Sequence, residues 1–555
     1  VNSVSDRDLV RAWGPWLAWI VVFALISAVL PRDASFDVAH YHLHNGWSAL
    51  NGRLEQDLSP AEMHSFLNPV FNVAVWWLIE LLPGPAVNAI LGALQATAVP
   101  VLYSLARKLL RLCDVRDASQ VALFCAFVGF LCVPMLATMA SLRNDMYGAI
   151  AFCGALLLLI DEERQTVSLT RLFAAALIVG LAAGVKLTNV VYIPGLAVFV
   201  LAAWPGLRPR AAAVAIAASG GLAGIVLGGG WWMAKLYTEF GNPVFPMLND
   251  LFGAPLGPAE GVSRDVRYLP DGVLEALVRP VMGAFDLALI NEDTGRDLRL
   301  AAFYLGAVAI LGISLAQMRS RVTVPRQVIA LALACLAFTV VWVLQFSIMR
   351  YATGAFLLGP LMLVLAWKIG PFETSLSVSA RPFLYGMALL MIATLGPESV
   401  RRAPWERPSE PYLTIELPAG FEAAEAGIIM AGPFPTAFTA TAFDDAAWIG
   451  HGAAQPWSAP FLKNYRPLIS ERIDSESTEL FAVICVQDTG VENEQHRSRG
   501  VTDKNTAGQT LARLAGEYPV EADESTCLPL KTSFDTDTTR WVMCPLTRSS
   551  SAGPA

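Results

Sequence analysis

Charge is what this chain has least of. Only 15% of its 555 residues are Asp, Glu, Lys or Arg, and the mean hydropathy is +0.49, too apolar for one soluble core of ordinary size. No glycine-rich turn of the dinucleotide-binding or P-loop kind occurs, so a nucleotide-linked substrate lacks its usual cradle. Internal repeats are missing, and charged residues fall at the ends of apolar runs rather than in their middles, which weighs against the alternative of a secondary transporter. No soluble heptads occur, so oligomeric state is not legible, and nucleic acid is not an expected partner of a chain with net charge −8.

What is present is a series of apolar runs near the length that crosses about 30 Å of hydrocarbon. They lie at Pro15–Leu30, Pro85–Ala106, Val121–Met139, Met146–Ile160, Leu172–Val185, Leu187–Trp204, Ala211–Gly230, Leu300–Ala316, Val328–Ile348, Ala352–Trp367 and, weakly, Pro382–Gly396. The expected fold is therefore mainly α, a polytopic membrane protein of about 11 transmembrane helices.

A twelfth run, Phe66–Leu82, decides the sidedness of everything after it. If it does not cross, Arg7 and Arg11, the Arg107–Arg116 cluster, Arg164, Arg171, Arg208, Arg210, Arg319, Arg321, Arg326, Lys368 and Arg381 all fall on one side, as the positive-inside rule requires. The run is then read as a helix at the outer interface, with Trp76 and Trp77 at headgroup depth. The outer face receives a first loop over residues 32–84, the Asp145 turn, Lys186, a second long loop over 231–299, the Arg350 turn and the tail. In a bacterium this is the periplasmic side of the inner membrane.

Composition changes after Pro397. Residues 1–396 read as the membrane domain and 397–555 as a soluble, extracytoplasmic α/β domain, with strands at Tyr412–Leu417, Gly427–Ala431 and Leu480–Val486, a helix at Ala507–Gly516, and a hairpin pairing Thr526–Thr532 with Arg540–Leu546. That hairpin sets Cys527 opposite Cys544, a candidate disulfide in an oxidising compartment, with Cys485 as the competing partner.

Candidate chemistry gathers on the outer face. Asp37 opens the polar run Asp-Val-Ala-His40-Tyr41-His42-Leu-His44, and a second carboxylate, Asp145, sits in Leu-Arg-Asn-Asp. An isolated acid at a span end is often interfacial punctuation, but four of the six histidines share the Asp37 loop. His40, His42 and His44 would share one side of an extended segment and spread around a helix. A metal site built from them with Asp37 fits no standard zinc spacing, and whether a divalent cation takes part is left open. Lys186 in Gly-Val-Lys and Arg350 after a long span suit a phosphate, with snorkelling and interfacial anchoring as their plain rivals. Asn68, Trp231 and Asn242, in an Asn-Pro turn, complete the candidate substrate-binding set.

The order of these features resembles the GT-C superfamily of integral-membrane glycosyltransferases, in the layout of its aminoarabinose- and protein-mannose-transferring branches, over roughly the first 370 residues. The resemblance implies a polyprenyl-phosphate-linked sugar as donor, Asp37 as catalytic base, Asp145 as a second site acid, and Lys186 on the donor phosphate. Two features depart from it: Asp37 is followed by Val rather than Glu, and Trp231-Trp232 is followed by Met, so no Trp-Trp-Asp triplet exists, which argues against transfer to asparagine. A lipid-linked glycan ligase or polymerase is the remaining alternative; it needs an arginine and a histidine in a late outer loop, where this chain has Arg264 and Arg267 but no histidine.

Overall fold

The computed structural model describes residues 6–162, 167–204, 206–258, 265–292, 295–317, 324–370, 380–393, 395, 401–421, 426–453, 459–475, 478–488 and 504–549. The chain is mainly helical, with a sheet domain at its C-terminal end. Arg264, Arg164, Arg319 and Arg321 lie outside the described residues.

Five helices are long and apolar enough to cross a membrane: Gly84–Leu112, Arg208–Phe240, Arg299–Gln317, Arg326–Gln345 and Met349–Ile369. Six more apolar helices are shorter, among them Trp13–Val29, Ala118–Phe130, Asp145–Leu159 and Leu169–Val185. At 1.5 Å per residue, a 15-residue helix spans about 22 Å, less than a straight crossing of hydrocarbon. The expected eleven crossings thus reduce to five helices of full length among the described residues, a set compatible with a multi-pass membrane protein.

The run at 66–82 forms the short helix Val70–Leu81. Its two tryptophans part company. Trp77 is exposed, whereas Trp76 is buried among residues of the 32–84 loop and the C-terminal domain.

Glycine decides the tightest helix pair. Leu169–Val185 packs on Leu207–Phe240 through Gly180 and Gly184 on one side and Gly221, Gly224 and Gly228 on the other, and a Cβ on Gly180, Gly184 or Gly224 would strike a facing backbone. Small residues at this spacing let two helices approach where lipid offers no hydrophobic drive. That packing fixes where the first helix ends, and Lys186 is the residue that caps it.

The two ends of the helices differ in charge. Around residues 160–162, Lys108 donates to the Ile160 carbonyl, Arg171 pairs with Asp161 at 2.7 Å and Arg111 with Glu162 at 3.3 Å, while Arg326 donates to the Ala202 and Trp204 carbonyls. Asp145 lies at the other end of the Asp145–Leu159 helix, about 22 Å away. The basic loops and the candidate acids are thus separated by the length of the bundle.

The C-terminal sheet contains β3 (Ile415–Glu416), β4 (Gly427–Ala431), β5 (Trp448–Gly452), β6 (Leu480–Asp488), β7 (Lys504–Asn505), β8 (Val520–Glu521), β9 (Leu528–Thr532) and β10 (Thr539–Arg548), in the order β3-β9-β10-β6-β4-β5. β4 runs parallel to both neighbours and is buried along its whole length, which is why it reads Gly-Ile-Ile-Met-Ala without polar alternation. The β9–β10 hairpin brings Cys527 and Cys544 into a disulfide, and Cys485 stays a buried free thiol on β6.

This domain is seated on the loop over residues 32–84. Arg32–Asp33 (β1) pairs antiparallel with Arg402–Ala403 (β2), and Arg32 lies under the Trp405 ring, pairs with Glu410 and donates to the Tyr412 carbonyl. Farther along, Arg53 grips Asp57 through two bonds of 3.1 and 2.6 Å and donates to the Ala446 carbonyl; Asp57 also accepts from the Ile449 amide, and Leu58 bridges Gly450 at the β5 edge. A loop that covers a sheet edge satisfies backbone groups the edge would otherwise expose.

Candidate functional site

The Asp37 run is helical, with a π-turn over Val38–His42 between Asp37 and the helix Leu43–Leu50. Such turns recur at functional sites because the wider helix re-aims side chains. Here it spreads the histidines, as a helix must and a strand would not. His42 Nδ1 meets Asn72 Oδ1 at 2.9 Å, His44 Nδ1 meets Asn45 Oδ1 at 3.0 Å, and His40 turns toward Glu62.

Four predicted groups meet beside this turn. Arg350, from the Met349–Ala352 turn at the head of a long helix, forms an ion pair with the Asp37 carboxylate. Lys186 reaches Asp145 at 2.7 Å. The two pairs feel each other: Asp145 and Lys186 both interact electrostatically with Arg350 and Asp37. Tyr41 lies within the same field and stacks on His64 with ring centroids 5.0 Å apart.

The charges are nearly balanced, two acids against two bases, with a second arginine close by. Arg143 contacts Asp33 at 3.4 Å, and Asp33 is further held by Ser141 and by the Ser35 amide. Burial alone would raise the pKa of Asp37, but the Arg350 guanidinium, backed by His42, Arg143 and Lys186, more than reverses this and holds it well below the usual carboxylate range. Burial drives His42 and His64 the other way for an imidazole, down to about 4, so both are neutral at pH 7.

Arg350 also lines a shallow depression, together with Arg143, Asp265, Tyr268, Asn291 and Met349. Tyr268 and Asp265 come from the loop over residues 231–299, where Arg267 pairs with Asp265 and Glu292. Arg267 is therefore neutralised locally.

Other predicted residues stand elsewhere or have other work. Asn68 spends its amide on the Gly184 and Gly228 carbonyls, at 2.7 and 2.9 Å, and its oxygen accepts from the Val70 amide. It clamps the glycine-packed helix pair, with both amide protons committed to backbone carbonyls. Asn242 is fully buried, donating to the Met247 carbonyl and accepting from the Val244 amide, a self-contained turn. Trp231 is exposed on the helix flank, and its neighbour Trp232 is the buried one, donating to the Phe66 carbonyl. His44 sits seven residues past Asp37, with Arg53 as its charged neighbour. The structure therefore does not bring Asn68, Asn242, Trp231 or His44 into the group formed by Asp37, Asp145, Lys186 and Arg350.

Sequence reading passed over Arg143, Glu62 and His451, and counted His64 only as one of the loop's histidines. Arg143 was visible two residues before Asp145; the others are joined only by folding, since His451 Nε2 comes from β5 to within 3.7 Å of Glu62 Oε1. No family model, no curated protein and no solved structure matches this chain.

Proposed function

We propose that the protein is an integral-membrane glycosyltransferase that moves a sugar from a polyprenyl-phosphate donor to an acceptor on the extracytoplasmic side of a bacterial inner membrane. The observation that supports this reading is the meeting of Asp37, Asp145, Lys186 and Arg350, from four separate segments, with Arg350 also reaching a surface depression. On this reading the five long helices and the six shorter ones all belong to the membrane domain, tilted or embedded, with the basic ends cytoplasmic.

The chemistry needs a base, an aligned acceptor and a cation for the departing phosphate. The acceptor oxygen attacks the anomeric carbon, the bond from that carbon to the phosphate oxygen breaks, the hydroxyl proton passes to Asp37, and the lipid phosphate leaves with its charge on Arg350 and Lys186. A single displacement inverts the anomeric centre.

With Arg350 on it, Asp37 is too weak a base. A donor phosphate that draws the guanidinium away frees the carboxylate and returns its pKa toward the ordinary value, so the base is armed only when donor is bound. Asp145 keeps Lys186 charged and aimed in the meantime.

The test is transfer by purified protein, or by membranes at matched expression, supplied with polyprenyl-phosphate sugars. Asp37→Asn should lose about 10²- to 10⁴-fold in kcat while still binding donor. Full transfer by this variant would remove Asp37 from the mechanism, and a wild-type protein that consumes no lipid-linked sugar would refute the donor class.

A further inference from the structure

We propose that His40, Glu62 and His64 bind one divalent transition-metal ion of the zinc class, with His451 of the C-terminal domain close beside the site. The ligand atoms of the first three all lie within 4.8 Å of one another. His40 Nε2 stands 3.8 Å from Glu62 Oε2, and His451 Nε2 stands 3.7 Å from Glu62 Oε1.

Those spacings are the core of the argument. They are too long for hydrogen bonds, which need about 2.7–3.2 Å. Two ligands at about 2.0–2.2 Å on one tetrahedral ion stand about 3.3 Å apart, so a shift of well under 1 Å at each side chain closes the set. Glu62 and His40 are buried, and His40 Nε2 has no hydrogen-bond partner. A buried imidazole nitrogen that stands near a carboxylate oxygen without a hydrogen bond to it is either a desolvated polar atom carrying a penalty or a ligand in waiting.

Two nitrogens and one carboxylate oxygen suit zinc, cobalt or a similar ion, and do not suit magnesium or calcium, which prefer all-oxygen shells.

The local backbone is built for the same purpose. Ser59 and Glu62 both have positive φ, at 58° and 52°, a conformation that residues with a Cβ seldom adopt. Ser59 Oγ donates to the Glu62 carbonyl and Ser65 Oγ accepts from the Ala61 amide, locking the 3₁₀ turn Glu62–Phe66 that aims both Glu62 and His64 at His40. Strain of this kind persists where the surroundings hold a site in place.

The bound ion would join three parts of the molecule that are distant in sequence. His40 is three residues past Asp37, Glu62 and His64 belong to the far half of the first outer loop, and His451 is on β5. The site would thus tie the turn that carries Asp37 to the C-terminal domain, whether or not that carboxylate acts in sugar transfer.

The experiment uses the full chain in detergent, stripped with chelator and titrated with Zn²⁺ or Co²⁺. Elemental analysis should find one equivalent retained after gel filtration, and Co²⁺ should give weak visible bands without thiolate charge transfer. Glu62→Gln and His64→Asn should weaken binding at least about 10-fold, while His44→Gln, a buried histidine outside the cluster, should not. Wild-type protein that retains no zinc and binds no Co²⁺ overturns the proposal. Unchanged metal content in both variants overturns the assignment as well. If the variants do not fold, X-ray absorption of the wild-type Co²⁺ protein decides, since fewer than two imidazole ligands would refute the site.

Discussion

Two acid–arginine pairs in this molecule differ in use. Arg299 and Asp297 are both 0% exposed and tied to the backbone around them: Arg299 Nε donates to the Val128 carbonyl at 2.6 Å, Nη1 to Asp297 at 2.8 Å, and Asp297 accepts from the Val133 amide at 2.8 Å. Arg350 and Asp37 are 30% and 14% exposed, and Arg350 lines a surface depression. The first pair is a staple between helices; the second holds its charges nearer the surface. Burial, rather than the presence of a pair, separates the two.

Removing one partner from each should divide them sharply. Arg299→Met leaves Asp297 buried without its cation, and the expected loss is about 3–5 kcal/mol, read as a large fall in unfolding temperature or in folded yield. Arg350→Gln should leave unfolding within about 1 kcal/mol of wild type, as for an accessible pair, yet lower kcat/KM for lipid-linked donor on the order of 10²-fold. It should also move the acid limb of the pH–rate profile upward, because Asp37 loses the guanidinium that holds it low. A stability loss equal to that of Arg299→Met, with kcat/KM intact, would make both pairs staples.

Asn68 sharpens the contrast between holding and binding. Asn68→Ala strips the Gly184 and Gly228 carbonyls of their shared donor and should cost about 1–3 kcal/mol in unfolding free energy, with KM for donor unchanged. A selective rise in KM would return Asn68 to the substrate.

The smallest expected effect is a pH slope. His44 is buried with its pKa lowered to about 4, chiefly by desolvation, so between pH 4 and 6.5 the unfolded chain binds a proton that the folded one refuses. Its neutral burial is therefore fully tolerated above the unfolded value and increasingly opposed as pH falls through that window. Acidification from pH 7 to 5 should lower stability by on the order of 1–2 kcal/mol through this group, and His44→Gln should flatten that part of the curve. An unchanged slope in the variant would show that His44 is solvated.

Much of the C-terminal domain was legible. The strand Gly427–Ala431 and the hairpin closed by Cys527 and Cys544 stand where apolar runs and turn residues place them, because strand pairing across a short turn is a local matter. The apolar helices were legible as segments but not as lengths: composition sets where a helix can lie, while its end is set by what packs or caps it, as at Lys186. Trp76 shows the same limit, since a tryptophan suited to an interface is equally suited to a protein core.

The sequence by itself determined the class of the molecule, its scarcity of charge, the run of apolar helices, and the small set of ionisable residues set at their ends. It had to, because hydropathy and the cost of stranded charge act residue by residue. Only the tertiary structure decided which of those residues meet. Asp37 and Arg350 are 313 positions apart, and Glu62 and His451 are farther still. No local pattern encodes such pairs; they exist because glycine-packed helices, a π-turn and a docked sheet bring their side chains to one place, where each charge sets the chemistry of the next.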